Sequence, residues 1–279
     1  MTSAVRAATE VAAQFGILSA DPVLLQETNN TVVWLRPEPV VAKVAVRAHS
    51  QDDIRLEYAV ALELDALEAE VARPMRGTQP ISHAGTGFVV TLWERLEGSD
   101  RASVPPEELA ESLRRLHRLL DQTDIDLPSF RAMVAKASRV LDADSLMTAL
   151  HQEDRELLRT SYERGFADLE GARFEERRLH GEPHNGNRIA TSKGLRWIDF
   201  ESACVGPVEW DLAFQSEAVV ALFPEADLDL VALLRRLNSA RVATWCLLSR
   251  DPEMQEHGQH HLTLLREFSD DPWRLPGIP

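Results

Sequence analysis

The side chains best suited to chemistry crowd into one segment of this 279-residue chain, Leu179 to Phe214, which carries His180, Glu182, His184, Asn187, Asp199, Glu201 and Asp211. Within it Arg188-Ile189-Ala190 and Leu195-Arg196-Trp197-Ile198 read as short strands, with Thr191-Ser192-Lys193-Gly194 as the turn between them. If Ala190 faces Leu195, then Asn187 faces Ile198, and Asn187 and Asp199 meet at the open end of the hairpin. An amide oxygen beside a carboxylate is a hard oxygen site, suited to Mg2+ rather than to zinc. Glu182 lies five residues before Asn187, on the loop entering the hairpin, where it supplies a carboxylate next to the metal without ligating it.

Two other readings of the segment stand beside this one. An extended His180-x-Glu182-x-His184 has zinc-ligand spacing, and His180-Gly181-Glu182-Pro183 echoes the start of the zinc deaminase signature. That signature continues with P-C-x-x-C, whereas the two cysteines here, Cys204 and Cys246, are isolated. The plainer reading is a polar loop punctuated by glycine turns. Against it stands the cost of burying so many polar groups without a ligand to satisfy them.

The elements that must position these residues divide the chain. Thr31–Leu35 and Val40–Val46 read as strands of an antiparallel hairpin, because the prolines of Arg36-Pro37-Glu38-Pro39 cannot continue a ladder. Lys43 is a lone cation in the second strand. It is either an edge lysine that discourages aggregation or an ammonium that requires an anionic partner or ligand. Gln51–Glu70 reads as a helix capped by Ser50 or Asp52, with Ile54, Tyr58, Ala61, Leu62 and Asp65 near one face and Glu57 at its margin. Gly87–Trp93 is a further strand. Helical patterns dominate after residues 94–98: one helix opens at Pro105-Pro106, others are expected within 129–141, 144–171 and 226–249 and near 252–268, and Met1–Gly16 is an amphipathic helix. The fold class expected is therefore α+β, with domains 1–95 and 96–279.

Composition narrows the partners. Thirty Lys and Arg against 45 Asp and Glu give a net charge of −15, which excludes a basic nucleic-acid surface and suits a cationic ligand. At 44% hydrophobic residues the chain has ample core and is not disordered. No apolar run approaches the ~20 residues of a membrane span. Two unpaired cysteines suggest a reducing, cytoplasmic compartment.

Leu179–Asn187 resembles the H-G-D-x-x-x-x-N catalytic loop of the aminoglycoside phosphotransferase family, which has a protein-kinase-like two-lobed fold. Ile198-Asp199-Phe200-Glu201 resembles that family's I-D-F/W-E segment, and Gly206-Pro207 through Trp210-Asp211-Leu212-Ala213 its G-D-P-x-x-D-L-A segment. The resemblance implies an ATP- and Mg2+-dependent kinase acting on a hydroxyl group of a small molecule. Such a molecule would be cationic, as an aminoglycoside-like antibiotic or a basic metabolite is, and the chain a monomer or homodimer. It further implies that Lys43, paired with Glu57, holds the ATP phosphates. The linker at Glu94 and Leu96 would bond adenine, Asn187 and Asp199 would ligate Mg2+, and residue 182 would accept the hydroxyl proton. Glu201 and Asp211, with Glu97 and Asp100, would face the substrate. Two positions depart from the family pattern: the catalytic aspartate is Glu182, and the phosphate loop Glu27–Thr31 contains no glycine. The first departure motivates an alternative, a kinase-like nucleotide-binding protein without transferase activity.

Overall fold

The computed structural model describes residues 2–27, 30–99, 103–141, 150–249 and 251–267. In chain order the elements are α1 (Ser3–Gln14), β1 (Asp21–Glu27), β2 (Thr31–Arg36), β3 (Val40–Ala45), α2 (Gln51–Ala66), β4 (Ile81–Ser82), β5 (Val89–Glu94), β6 (Gly98–Ser99), α3 (Pro106–Leu120) and α4 (Phe130–Val140). They continue as α5 (Gln152–Gly171), β7 (Arg177–Leu179), β8 (Arg188–Thr191), β9 (Gly194–Trp197), β10 (Cys204–Gly206), α6 (Val208–Leu212), α7 (Glu217–Val220), α8 (Leu228–Leu247) and α9 (Pro252–Glu267). The fold is α+β, as expected. The chain forms two compact units. The first takes Met1–Val104, Ser112–Asp126 and Asn185–Ala203, and the second takes Pro105–Glu111, Leu127–His184 and Cys204–Pro279. The β8–β9 hairpin thus belongs with the N-terminal strands, although it lies far beyond the boundary expected at 95/96.

In the first unit an antiparallel sheet runs β1-β2-β3-β5-β4. Period-two alternation sorts its two faces. Val33, Leu35, Ala42, Val44, Val90 and Leu92 are buried against Val5, Ala8, Val11 and Ala12 of α1. The opposite parity turns Lys43 to the other face, where its cross-strand neighbours are Val32 and Thr91. That face is completed by α2, whose Ile54 packs on Ala45 and Val89 and whose Tyr58 and Ala61 pack on Trp93. The buried residues of α2 are Ile54, Glu57, Tyr58, Val60, Ala61 and Leu64. This places Glu57 inside the stripe rather than at its margin, and it turns Leu62 to solvent at 53% exposure. The cause is helical phase: residues 54, 57, 58, 61 and 64 recur at the i, i+3, i+4 spacing of one face. Ser50 stands at the N-cap without a side-chain capping bond.

The helix also stops earlier than its composition suggests, at Ala66 instead of Glu70. Glu68 takes φ 57°, Glu68 N–H donates to Asp65 O, and Ala69 N–H donates to Leu64 O at 2.9 Å. This paired return of bonds is the Schellman stop, here made without the usual glycine. The β8–β9 register is the one expected, with Ala190 opposite Leu195. Beyond the last rung, Ile198 N–H donates to Asn187 O at 3.0 Å.

The second unit is mainly helical. Its core gathers Phe130 and Val134 of α4, Leu158 and Tyr162 of α5, Trp210 of α6, Leu234, Leu237 and Ala240 of α8, and Leu262 and Leu265 of α9. A short antiparallel ribbon, β7 with β10, pairs Leu179 with Cys204 and so ties the start of the His180 loop to the segment preceding α6. This ribbon, like β1, β4 and β6, was not foreseen, because strands of two or three residues, or with exposed faces, leave no periodic signal. The helix expected from residue 144 begins, among the described residues, at Gln152. No helix among the described residues is long and apolar enough to cross a membrane.

Candidate functional site

Lys43 organises the polar centre of the first unit. Its Nζ lies 2.7 Å from Glu57 Oε2, 3.1 Å from Asp199 Oδ1 and 2.6 Å from Glu201 Oε1. Glu57 comes from the buried stripe of α2, and Asp199 and Glu201 from the turn after β9. Asp199 adopts φ 65°, ψ 65°, a left-handed conformation unusual for a side chain with a Cβ, and this aims its carboxylate at Lys43. Asn30 Nδ2 donates to the same Glu201 Oε1, while Asn30 Oδ1 is buried without a partner.

Three carboxylates around one ammonium leave a surplus of negative charge, and burial makes the surplus costly. Burial pushes the Glu57 carboxyl up to about 7 against the pull of Lys43, with the Asp199 charge adding to the rise. Burial likewise pushes Glu201 up to about 8 against Lys43, with Asp199 and Glu57 adding to it. At Lys43 burial opposes the charge, but Asp199, Glu57 and Glu201 outweigh it and hold the ammonium well above its ordinary range. The donor set suits a hard divalent ion: oxygens of Glu57, Asp199 and Glu201 all lie within 4.8 Å of one another, and the unpartnered Asn30 oxygen is a further neutral donor beside them. Asn187 is buried, and its backbone meets Ile198, one residue before Asp199.

The expected linker residues sit at the end of β5, away from this cluster. Glu94 N–H donates to Arg73 O at 2.9 Å, Arg95 N–H donates to Pro39 O at 2.8 Å, and Leu96 is half-buried. The Arg95 guanidinium stacks 4.0 Å from the Trp34 ring centroid. Of the glycine-free loop Glu27–Thr31, residues 28 and 29 lie outside the described residues, as does Asp100. Glu97 is exposed and pairs with Arg95.

Glu182 lies in the second unit, on a loop pinned to α6 and the turn after it. His180 N–H and Gly181 N–H donate to the two carboxylate oxygens of Asp211 at 3.0 and 2.8 Å. Trp210 Nε1 donates to Gly181 O at 2.9 Å, and Gln215 Nε2 donates to Pro183 O. Inside the loop, His184 N–H donates to Glu182 O at 2.8 Å. The Glu182 carboxylate meets Arg241 of α8, with Nη2 to Oε1 at 2.5 Å.

Two expectations change here. Asp211, expected to face the substrate, is fully buried with both oxygens on backbone N–H groups, so it is an anchor of the loop. Glu201, also expected there, is turned to Lys43. Sequence reasoning missed Arg241 and Asn30 as partners. Three arginines among the many apolar residues of α8, Arg235, Arg236 and Arg241, were the available signal, since a guanidinium on a buried helix demands an acceptor.

Residues 23–256 match the profile of the phosphotransferase enzyme family (APH). No curated protein sequence matches the chain. Among solved structures, a GDP complex of an aminoglycoside 2'-phosphotransferase-IIIa mutant superposes with TM-score 0.73 at 15% identity, covering 97% of this chain and 100% of that one. An amicoumacin kinase in complex with AMP-PNP, Ca2+ and Ami gives 0.69 at 13% identity over 97% and 94%. A choline/ethanolamine kinase family protein from Mesorhizobium loti gives 0.64 at 16% identity over 96% and 95%. At these identities the likeness shows a shared protein-kinase-like fold.

Proposed function

Since the chain belongs to the phosphotransferase enzyme family over residues 23–256, we propose that it transfers the terminal phosphoryl group of ATP to a hydroxyl of a small molecule. The observation that carries this reading is the Lys43–Glu57–Asp199 constellation, with Asp199 held in a left-handed turn. Phosphoryl transfer asks a protein for positioning and charge neutralisation more than for covalent chemistry. Residues 1–95 would form the nucleotide-binding part, with Lys43 holding the α- and β-phosphates, Glu57 orienting Lys43, and the backbone at Glu94 and Leu96 meeting adenine. Asn187 and Asp199 would hold Mg2+, with Glu57, Glu201 and Asn30 supplying further oxygens nearby. Bound there, the ion would neutralise charge on the phosphates.

Residues 96–279 would supply the acceptor side. The acceptor oxygen attacks the γ-phosphorus, the bond from the bridging oxygen to that phosphorus breaks, ADP leaves with the electron pair, and the hydroxyl proton passes to Glu182. The net charge of −15 supports a cationic acceptor. The two carboxylates first named for it are engaged elsewhere, so charge alone supports that choice. Two buried free cysteines accord with a reducing, cytoplasmic location.

The test is ATP consumption against a panel of hydroxylated amines and neutral polyols, with Mg2+ present and absent. Metal-dependent turnover that is lost in both Glu182→Gln and Asp199→Asn supports the enzyme. Tight Mg-ATP binding with no turnover on any acceptor favours a nucleotide-binding protein without transferase activity, a reading that the engagement of Glu182 by Arg241 keeps in play.

A further inference from the structure

We infer that Arg241 is the positioning residue for Glu182, and that Asn238, one helical turn before it, sets Arg241 in turn; this rests on the transferase reading above. The geometry lies wholly within the second unit. Arg241 Nη2 lies 2.5 Å from Glu182 Oε1, and Arg241 Nε donates to Asn238 Oδ1 at 3.1 Å. Asn238 is fully buried and its Nδ2 has no partner, so its carboxamide is given over to the guanidinium. Residues three apart share a helix face, which is how Asn238 reaches its neighbour on α8. The guanidinium is itself buried, with its Cζ 5.8 Å from the Trp210 ring and 5.9 Å from the Phe214 ring. Trp210 also holds the Gly181 carbonyl. One aromatic side chain therefore braces both the loop backbone and the group that grips the loop's carboxylate.

This arrangement answers a problem posed by the glutamate. Against the aspartate of the family pattern, Glu182 carries one more methylene and one more torsion, and an acid–base group displaced by about 1 Å can lose roughly 100-fold in rate. The backbone of residues 180–184 is pinned by Asp211, Trp210 and Gln215, which leaves the side-chain torsions as the remaining freedom. Arg241 removes it by fixing Oε1, which sets the carboxylate that is to take the acceptor proton. A guanidinium lowers the basicity of a carboxylate, but in phosphoryl transfer placement of the nucleophile counts for more than base strength.

The experiment measures kcat, the KM for ATP and thermal stability for the full-length chain and for Arg241→Met, Arg241→Lys, Asn238→Ala, Glu182→Asp and the Glu182→Asp/Arg241→Met double variant. Positioning predicts that Arg241→Met lowers kcat about 100-fold with the KM for ATP unchanged, that Arg241→Lys recovers part of the loss, and that Asn238→Ala loses less. Glu182→Asp, too short to keep the contact, slows turnover, and the double variant is no slower than the worse single, as for residues acting as one unit. Additive losses, or an Arg241→Met chain that melts earlier yet keeps kcat within about threefold, would overturn the inference. A wild-type chain that binds Mg-ATP and turns over no acceptor sinks the transferase reading, and the positioning role with it. Stability coupling between Glu182→Gln and Arg241→Met reports the ion pair independently of that outcome.

Discussion

The two polar centres of this protein are built on opposite plans. Around Lys43 three carboxylates share one ammonium, one of them with a strained backbone, and a buried amide oxygen beside them has no partner. Around Glu182 a carboxylate meets a buried guanidinium, and Asp211, Trp210 and Gln215 hold the loop that presents it. A centre with surplus negative charge is incomplete until positive charge arrives, whereas a carboxylate already gripped by a guanidinium has its geometry set beforehand. The first plan suits the capture of a metal and a phosphate chain, and the second suits a group that must stay aimed. The contrast locates the lever of each centre: in the first it is charge, in the second it is hydrogen-bonded placement.

Removing the charge at the first centre carries the largest expected effect. Lys43→Met leaves the buried Glu57 and the partly buried Asp199 and Glu201 facing one another. Turnover should fall by roughly 10³-fold or more, the scale of a lost cation at the transferring phosphate, and should show in steady-state ATP consumption. If the variant keeps its activity, the charge-surplus account of this centre is wrong. Next in size is the anchor of the second centre. Asp211→Ala strands the buried N–H groups of His180 and Gly181, at about 1–3 kcal/mol for each unsatisfied donor. Urea unfolding should therefore show a loss of several kcal/mol, and Asp211→Asn, which keeps one acceptor, a smaller one. A loss below about 1 kcal/mol would mean that the loop is held by something other than Asp211.

The two plans were not equally legible in the sequence. The hairpin register followed from Ala190 opposite Leu195, because a two-residue periodicity on each side of a tight turn leaves few pairings. Lys43 was visible as a cation in an apolar strand, and Glu57 as a carboxylate on the next helix. What could not be read is which oxygen goes where. Asp211 and Glu201 are both carboxylates near the motif, yet one is consumed by backbone N–H groups and the other by Lys43. That choice depends on where α6 and the turn after β9 sit in three dimensions. Arg241 is 59 residues from Glu182, too far for any local spacing rule to join them. The short strands β4, β6, β7 and β10 form because a partner strand is already in place, not because their own residues demand it.

Titration separates the centres next. The folded-state carboxyls of Glu57 and Glu201 stand near 7 and 8, above the ordinary carboxylate value of 4.5, chiefly because they are buried. Between those values the folded chain binds more protons than the unfolded chain, so stability falls as pH rises from about 4.5 to about 8. Lys43 adds a loss of the same sign at higher pH: its raised value contributes stability that is present below the unfolded pKa and disappears as pH climbs through the folded one. Urea midpoints from pH 5 to pH 8 should therefore decline, and Glu201→Gln should flatten the decline. Saturating Mg2+ with nucleotide should flatten it too, since bound positive charge keeps the carboxylates ionised. A slope unchanged by Glu201→Gln would show that the surplus charge lies elsewhere.

The smallest effect tests whether the first centre depends on the exact seat of α2. Glu68 closes that helix in the left-handed conformation, at φ 57°, two residues past Ala66. A side chain bearing a Cβ is disfavoured there by about 1–2 kcal/mol, whereas glycine adopts the conformation freely but adds entropy to the unfolded chain, at a cost of about 0.4–1 kcal/mol. The difference favours Glu68→Gly, with a net stabilisation of the order of 0.5 kcal/mol, measurable as a shift in the urea midpoint. The return bonds from Glu68 N–H to Asp65 O and from Ala69 N–H to Leu64 O use only backbone atoms and survive the change. Glu57 lies about three turns upstream of Glu68, so its distance to Lys43 is set by the packing of Ile54, Tyr58 and Ala61 rather than by the helix end. Stability should rise while kcat and the KM for ATP stay constant. A change in either kinetic constant would mean that the end of α2 moves Glu57, and that the first centre is governed by helix placement as much as by charge.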